Sequence, residues 1–331
     1  MPKLGGRGAF GAVGTVRNFM SVVKEINFDE VRDRAEQVPK VLVLSTDSAA
    51  ALEAAIRVFG DQPERYVEAR AWSESGTTDL TRYDAAIVAD PGNTSLFDRV
   101  RKSAGRGRTE NLFSLPNTTG SETKGEDRLR AELVSTFPDL APSFGRFFPL
   151  FRSAAVKAIV DESARANAQF ALISNIPSIV PILGSFVSAG ADLIVLTKNQ
   201  VMMSYKIAAA HGRDLHDQSG VIRELAPVVG AGFLWRSIAR EATSFLPLAA
   251  GTIPKVAIAY AGTFSVGRTI DYYYRYGKKP SKDQLKQFAK QASELAAKID
   301  LPGRKDQGSP NGEHREASTG VPIEASGDQT R

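Results

Sequence analysis

The chain has 331 residues, a length that calls for two domains or for one domain with appendages. Hydrophobic residues at 42% and charged residues at 24% exclude wholesale disorder, and the absence of cysteine excludes disulfides, iron–sulfur clusters, thiolate zinc and cysteine nucleophiles. The 42 Lys and Arg against 37 Asp and Glu give a net charge of +5, compatible with an anionic membrane surface or nucleic acid.

Residues 1–37 read as a flexible N-terminus and an amphipathic helix. Met1–Gly14 carries no apolar run of signal-peptide length, so export is not expected. Gly6-Arg7-Gly8-Ala9-Phe10-Gly11-Ala12-Val13 matches the glycine-rich loop of protein kinases letter for letter. That loop works only between strands and with a catalytic HRD and a metal-binding DFG, neither of which occurs. Val16, Phe19, Met20, Val23, Ile26 and Val31 then recur at helical spacing.

Residues 38–117 change period. Val41–Leu44, Tyr66–Trp72, Ala85–Ala89 and Asn111–Leu115 are strand candidates. Helical patterns over Ala49–Phe59 and Thr94–Ser103 separate them, with Asp47 or Ser48 as N-cap of the first. The alternation predicts a small parallel sheet covered by helices, degenerate P-loop-like or flavodoxin-like. Residues 127–300 are helical in character and interrupted by prolines, which gives an overall class of α/β plus all-α with a helical bundle. The last helix is the clearest, with a Ser281/Gln284 capping box and Leu285, Phe288, Ala292, Leu295 and Ile299 on one face. Residues 301–331 have too little apolar surface to offset ordering entropy and read as a disordered tail.

The turn Ser45-Thr46-Asp47-Ser48 stands where a mononucleotide-binding loop would lie. It has neither the glycines that let amides wrap a phosphate nor the following lysine, so nucleotide hydrolysis is not expected. With Asp90 and Asn93 it forms a candidate ligand edge, since ligands gather at the carboxyl ends of parallel strands. Helix capping and turn formation explain the same aspartates. His211-Gly-Arg-Asp-Leu-His216-Asp217 has no standard ligand spacing and reads as a polar interhelical loop. No catalytic residue, metal site or cofactor is expected, and no nucleic-acid-binding signature is present.

Two apolar stretches dominate the second half. Phe170–Thr197 contains one charge, Asp192, and is divided by Pro177 and Pro181. Gly184, Ser188 and Asp192 fall four apart on one helix face, a spacing that lets helices approach closely in lipid. Ala242–Gly267 contains one charge, Lys255, and is followed by Tyr272, Tyr273 and Tyr274 among arginines and lysines, the chemistry of a membrane–water interface. Each stretch is long enough to span a bilayer, which needs about 20 apolar residues. The alternative reading of each is the core of a soluble bundle.

Phe137-Pro-Asp-Leu-Ala141, Asn175-Ile-Pro-Ser-Ile-Val-Pro181, Ala191-Asp192, Leu196-Thr-Lys-Asn-Gln200 and the Gly267–Gly277 segment together resemble the YcjF-like, GTPase-associated family of bacterial proteins, over about residues 130–290. The resemblance implies a helical, often membrane-bound protein that partners a GTPase, and it carries over no catalytic residue. By the positive-inside rule, Arg146, Arg152, Lys157 and Arg165 before the first apolar stretch and Arg268, Arg275, Lys278 and Lys279 after the second place the chain at the cytoplasmic side of the bacterial inner membrane, or in the cytoplasm if neither stretch spans. The expected function is therefore that of a non-enzymatic, membrane-associated partner of a GTPase or other protein, with homo-oligomers allowed. The alternative is a soluble regulator binding a nucleotide or acidic ligand at the sheet edge.

Overall fold

In the computed structural model the described residues are 26–74, 79–104, 109–116, 124–173, 189–229 and 253–296. The glycine-rich N-terminal loop, Gly184 and Ser188, and the tail at 301–331 lie outside them, as does residue 230–252 of the chain between two helices. Four short strands, β1 (Val41–Ser45), β2 (Val67–Ala71), β3 (Ala85–Ala89) and β4 (Leu112–Leu115), pair in parallel in the order β2-β1-β3-β4. Val43 stands beside Ala69 on one side and Ile87 on the other. Every residue of β1 and β3 is buried, as expected of parallel strands covered on both faces.

The period of two sorts those faces. Leu42, Leu44, Ala86 and Val88 pack with Leu80 and with Leu96 and Val100 of a helix at Leu96–Ser103. The other face takes an alanine-rich helix, Ser48–Phe59, whose buried side is Ala51, Ala54, Ala55, Val58 and Phe59. In chain order, with a short helix α1 at Asp29–Glu36 first, these two are α2 (Ser48–Phe59) and α3 (Leu96–Ser103). Gly60 ends α2 at φ 97°, a conformation that L side chains rarely adopt, and its N–H donates to the Ile56 carbonyl at 2.8 Å.

The helical region comprises α4 (Lys124–Thr136), α5 (Ala141–Phe147), α6 (Arg152–Ile173), α7 (Ala189–Ala210), α8 (Gln218–Val229), α9 (Ile253–Tyr276) and α10 (Lys282–Ala296). The described residues all fall within one compact unit, Met1–Ala297. Sheet and helices interlock through Arg130 of α4, 5% exposed, which donates from Nε to the Val58 carbonyl at 2.8 Å and from Nη2 to the Arg57 carbonyl at 2.6 Å. It thereby satisfies carbonyls that the end of α2 leaves without helical partners. Arg57 in turn pairs with the buried Glu126. Phe59 stacks on Phe151, centroids 5.2 Å apart, and meets Phe148 edge-on at 4.8 Å, so the same helix end is also held by an aromatic cluster.

Three helices form the heart of the bundle. Asn167 of α6, fully buried, donates from Nδ2 to Thr263 Oγ1 of α9 at 2.8 Å, and its Oδ1 accepts from Asn199 Nδ2 of α7 at 2.7 Å. Farther along, Gly267 of α9 lies against Val160 of α6 and Met203 of α7. Since the α6 partners fall in number from 167 to 160 as those on α7 and α9 rise, α6 runs antiparallel to both. Residues 256–271 of α9 are buried almost throughout, Ile258 and Arg268 being the half-buried exceptions.

That burial corrects the expectation of a membrane span over 242–267 for its described part. The helix is apolar all round because it is the centre of a bundle, enclosed by α6, α7, α8 and α10. Among the described residues, no helix is long and apolar enough to cross a membrane. Of the first stretch, Phe170–Ile173 closes α6 and Ala189–Thr197 opens α7, while residues 174–188 lie outside the described set.

Candidate functional site

The expected ligand edge is the carboxyl end of β1 and β3. The chain leaves β1 for β2 on one side and reaches β3 on the other, so the order reverses between β1 and β3, where open parallel sheets bind ligands. Ser45, Thr46, Asp47, Ser48, Asp90 and Asn93 are all gathered at this point. Their polar atoms are largely engaged. Ser45 is fully buried, and its Oγ donates to the Ala89 carbonyl at 2.7 Å, tying the two strand ends together. Asp47 is the N-cap of α2, accepting from Ala50 N at 2.8 Å. Thr46 leans on it at 3.4 Å, and Ser48, exposed, begins the helix.

Asp90 organises the loop after β3, accepting from Thr94 N at 2.8 Å, Thr94 Oγ1 at 2.9 Å and Leu96 N at 2.9 Å. Burial opposes its ionisation, but these donors and the Ser95 N–H outweigh it and hold the carboxyl below its ordinary value. Asn93 takes φ 50° in that loop, with an exposed side chain. On the β2 side, Arg99 lies over the Trp72 ring at 4.7 Å and bridges to Glu74 at 2.7 Å. The aspartates at this edge are thus turn- and helix-organising groups. Among the described residues, no group of three or more His, Cys, Asp or Glu is arranged to hold a metal.

The expected membrane or helix-packing set divides differently. Asp192 lies in the first turn of α7, whereas Gly184 and Ser188 are outside the described residues. Tyr272, Tyr273 and Tyr274 all engage the protein itself. Tyr272 Oη accepts from Gln284 Nε2 of α10 at 2.9 Å, Tyr273 Oη donates to Glu224 of α8 at 3.3 Å, and Tyr274 stacks on His211 with centroids 5.2 Å apart. Burial pushes the Tyr274 phenol well above its ordinary value.

Around that stack lies a centre that the sequence reading missed. Asp271 of α9, its side chain 3% exposed, meets His211 Nε2 at 3.1 Å, accepts from Arg275 Nε at 2.8 Å, and is reached by Arg268 Nη1 at 3.3 Å. Burial raises the cost of ionising Asp271, yet the bonds from His211 and Arg275 and the two positive charges more than compensate, so the carboxyl stays depressed. His211 ends α7, where Gly212 turns the chain at φ 78°. The centre therefore ties α7 to α9. Its signal in the sequence was Arg268-x-x-Asp271-x-x-x-Arg275, an acid with arginines at −3 and +4 on a helix otherwise made to be buried. What stayed hidden was the partner 60 residues away.

The two ends of the bundle now differ in chemistry. Asn167, Asn199 and Thr263 mark the way to one end, where α6 finishes at Ile173 and α7 and α9 begin. Ile173 is 57% exposed there. The His211–Asp271 centre marks the other end, where Arg146 Nη1 donates to the Arg213 carbonyl at 2.7 Å and Arg213 pairs with Glu224 at 2.7 Å. Compared with protein-family models, curated proteins and solved structures, the chain matches none.

Proposed function

We propose that this chain is a non-enzymatic helical protein that docks on a membrane through one end of its bundle and presents its α/β module to a protein partner. The observation that carries the reading is the antiparallel register of α6 with α7 and α9. It brings Ile173, Ala189 and Ile253, and with them the chain ends bounding residues 174–188 and the entry to α9, to the same end of the bundle. Residues 174–188 contain no charged side chain, and the exposed Ile173 continues that apolar character into the described structure. The exposed Ile173 and the uncharged run that follows it in sequence support a membrane or protein interaction surface at this pole. No described helix is long and apolar enough to cross a bilayer, and docking at one leaflet is the mode proposed.

At the other pole, the capped aspartates and glycine-free turn after β1 support a sheet used for recognition in place of turnover. A GTPase is the partner implied by the family resemblance, and the cytoplasmic face of a bacterial inner membrane is the matching location. Flotation with lipid vesicles tests the reading. The native protein is expected to rise with vesicles in the absence of detergent, and a protein that stays at the bottom of the gradient with every lipid composition rules it out.

A second reading, a soluble regulator binding a nucleotide or acidic ligand, is favoured by the strand-order reversal at Ser45 and Asp90. Calorimetric titration with GTP, GDP, ATP and cyclic nucleotides decides it, and absence of heat with all of them removes it.

A further inference from the structure

Helix α10 packs its apolar side, Phe288, Ala289, Ala292 and Ala296, inward against α9. Its outward side carries Lys282, Lys286 and Lys290, four residues apart and all exposed. Lys278 and Lys279 are exposed in the preceding turn. A helix rises about 1.5 Å per residue, so the three helical lysines form a straight line about 12 Å long. Among the described residues, no ion pair or hydrogen bond engages these ammonium groups. Arg268 and Arg275 of α9 pair with Asp271, and the exposed acids on α10 are Asp283 and Glu294, the latter four residues past Lys290. The acid between the arginines, Asp271, is already enclosed.

Direction matters as well. Gln284 bonds to Tyr272 and Phe288 lies under Arg268, so α10 runs antiparallel to α9 and descends from the His211–Asp271 pole toward the pole of Ile173.

We infer that the α10 flank is the face that meets an anionic lipid surface, with Lys282, Lys286 and Lys290 as its headgroup contacts. The inference rests on the lipid-docking reading above and adds the charge class of the lipid and the flank that leans on it. Lysines are hydrated point charges suited to a diffuse layer of phosphates, and no arginine fork is built into the row. No aromatic residue interrupts Lys282–Lys290 except the inward Phe288, so bases would have no stacking platform, which disfavours single-stranded nucleic acid.

The test uses the full chain and the variant Lys282→Gln/Lys286→Gln/Lys290→Gln, with vesicles of phosphatidylcholine alone and vesicles containing about a third phosphatidylglycerol. A lysine near an anionic surface is worth about fivefold in affinity, so the triple variant is expected to bind the anionic vesicles on the order of a hundredfold more weakly than the wild type. Binding of the two proteins to phosphatidylcholine is expected to be equal. If the variant matches the wild type on anionic vesicles, the inference falls while lipid docking stands. If the wild type floats with neither composition, both readings fall. If lysine-dependent flotation occurs on anionic vesicles alone, the α10 face stands and the apolar pole is not the anchor. Displacement of the wild type from anionic vesicles by duplex DNA at equal phosphate concentration assigns the row to nucleic acid and overturns the lipid assignment.

Discussion

Arg130 is the side chain on which the junction of sheet and helices turns. It is buried, and its guanidinium is divided among the Arg57 and Val58 carbonyls and Asp127 Oδ1 at 2.6 Å. Removing it strands two carbonyls at the end of α2 and takes a positive neighbour from Glu126. Arg130→Met is therefore expected to lower unfolding stability by about 3 kcal/mol, read as a drop in urea midpoint at constant slope. A loss under about 1 kcal/mol would show that water satisfies those carbonyls as well as the guanidinium does. Asp271 gives a pH signature. Its folded value lies below its unfolded one, so its contribution is complete above the unfolded carboxyl value of about 3.9 and disappears as pH falls through the folded value. Asp271→Asn is expected to cost about 3 kcal/mol at neutral pH, because Arg275 and Arg268 lose their counter-charge. Acid titration of stability in that variant should be flatter below about pH 4 than in the wild type. Parallel acid limbs in the two proteins would contradict an ionised Asp271.

Among the elements, β1 and β3 could be read from the sequence because parallel strands buried on both faces keep their apolar runs unbroken, as Val41–Leu44 and Ala85–Ala89 do. Asp47 as a cap and the Ser281/Gln284 box were equally legible, since both act within one helical turn. Helix α9 was not. An apolar helix with small residues has the same pattern at the centre of a bundle as in lipid, and only its neighbours separate the two. Those neighbours are Asn167, Val160 and Met203, none of them close in sequence. The tyrosines at 272–274 were expected at a membrane or in helix packing, and their partners Glu224, His211 and Gln284 sit on other elements. The close approach at Gly267 supplies a test of the bundle centre. A Cβ there would stand 2.4 Å from Val160 Cγ2 and 3.2 Å from Met203 Sδ. Gly267→Ala gains about 1 kcal/mol of helix propensity and loses about 1–3 kcal/mol to overpacking, so a net loss is expected by thermal or urea unfolding. Adding Val160→Ala should return part of it. A stabilised single variant would mean that α6 and α9 are farther apart than described.

For the molecule as a whole, the poles of the bundle matter more than any one residue. Ile173 stands exposed where α6 ends, while the buried centre around Asp271 closes the opposite pole. The natural chain contains no cysteine, so a single Ile173→Cys introduces one unique attachment point, and Glu53→Cys on the exposed side of α2 supplies a control on the sheet module. Each variant can be labelled with a nitroxide and its collisions with oxygen, which concentrates in lipid, compared with those of a water-soluble nickel complex. On adding anionic vesicles, the label at 173 should gain oxygen exposure and lose nickel exposure, and the label at 53 should keep its aqueous values. A label at 173 that stays as accessible to nickel with vesicles as without them would contradict membrane docking through this pole.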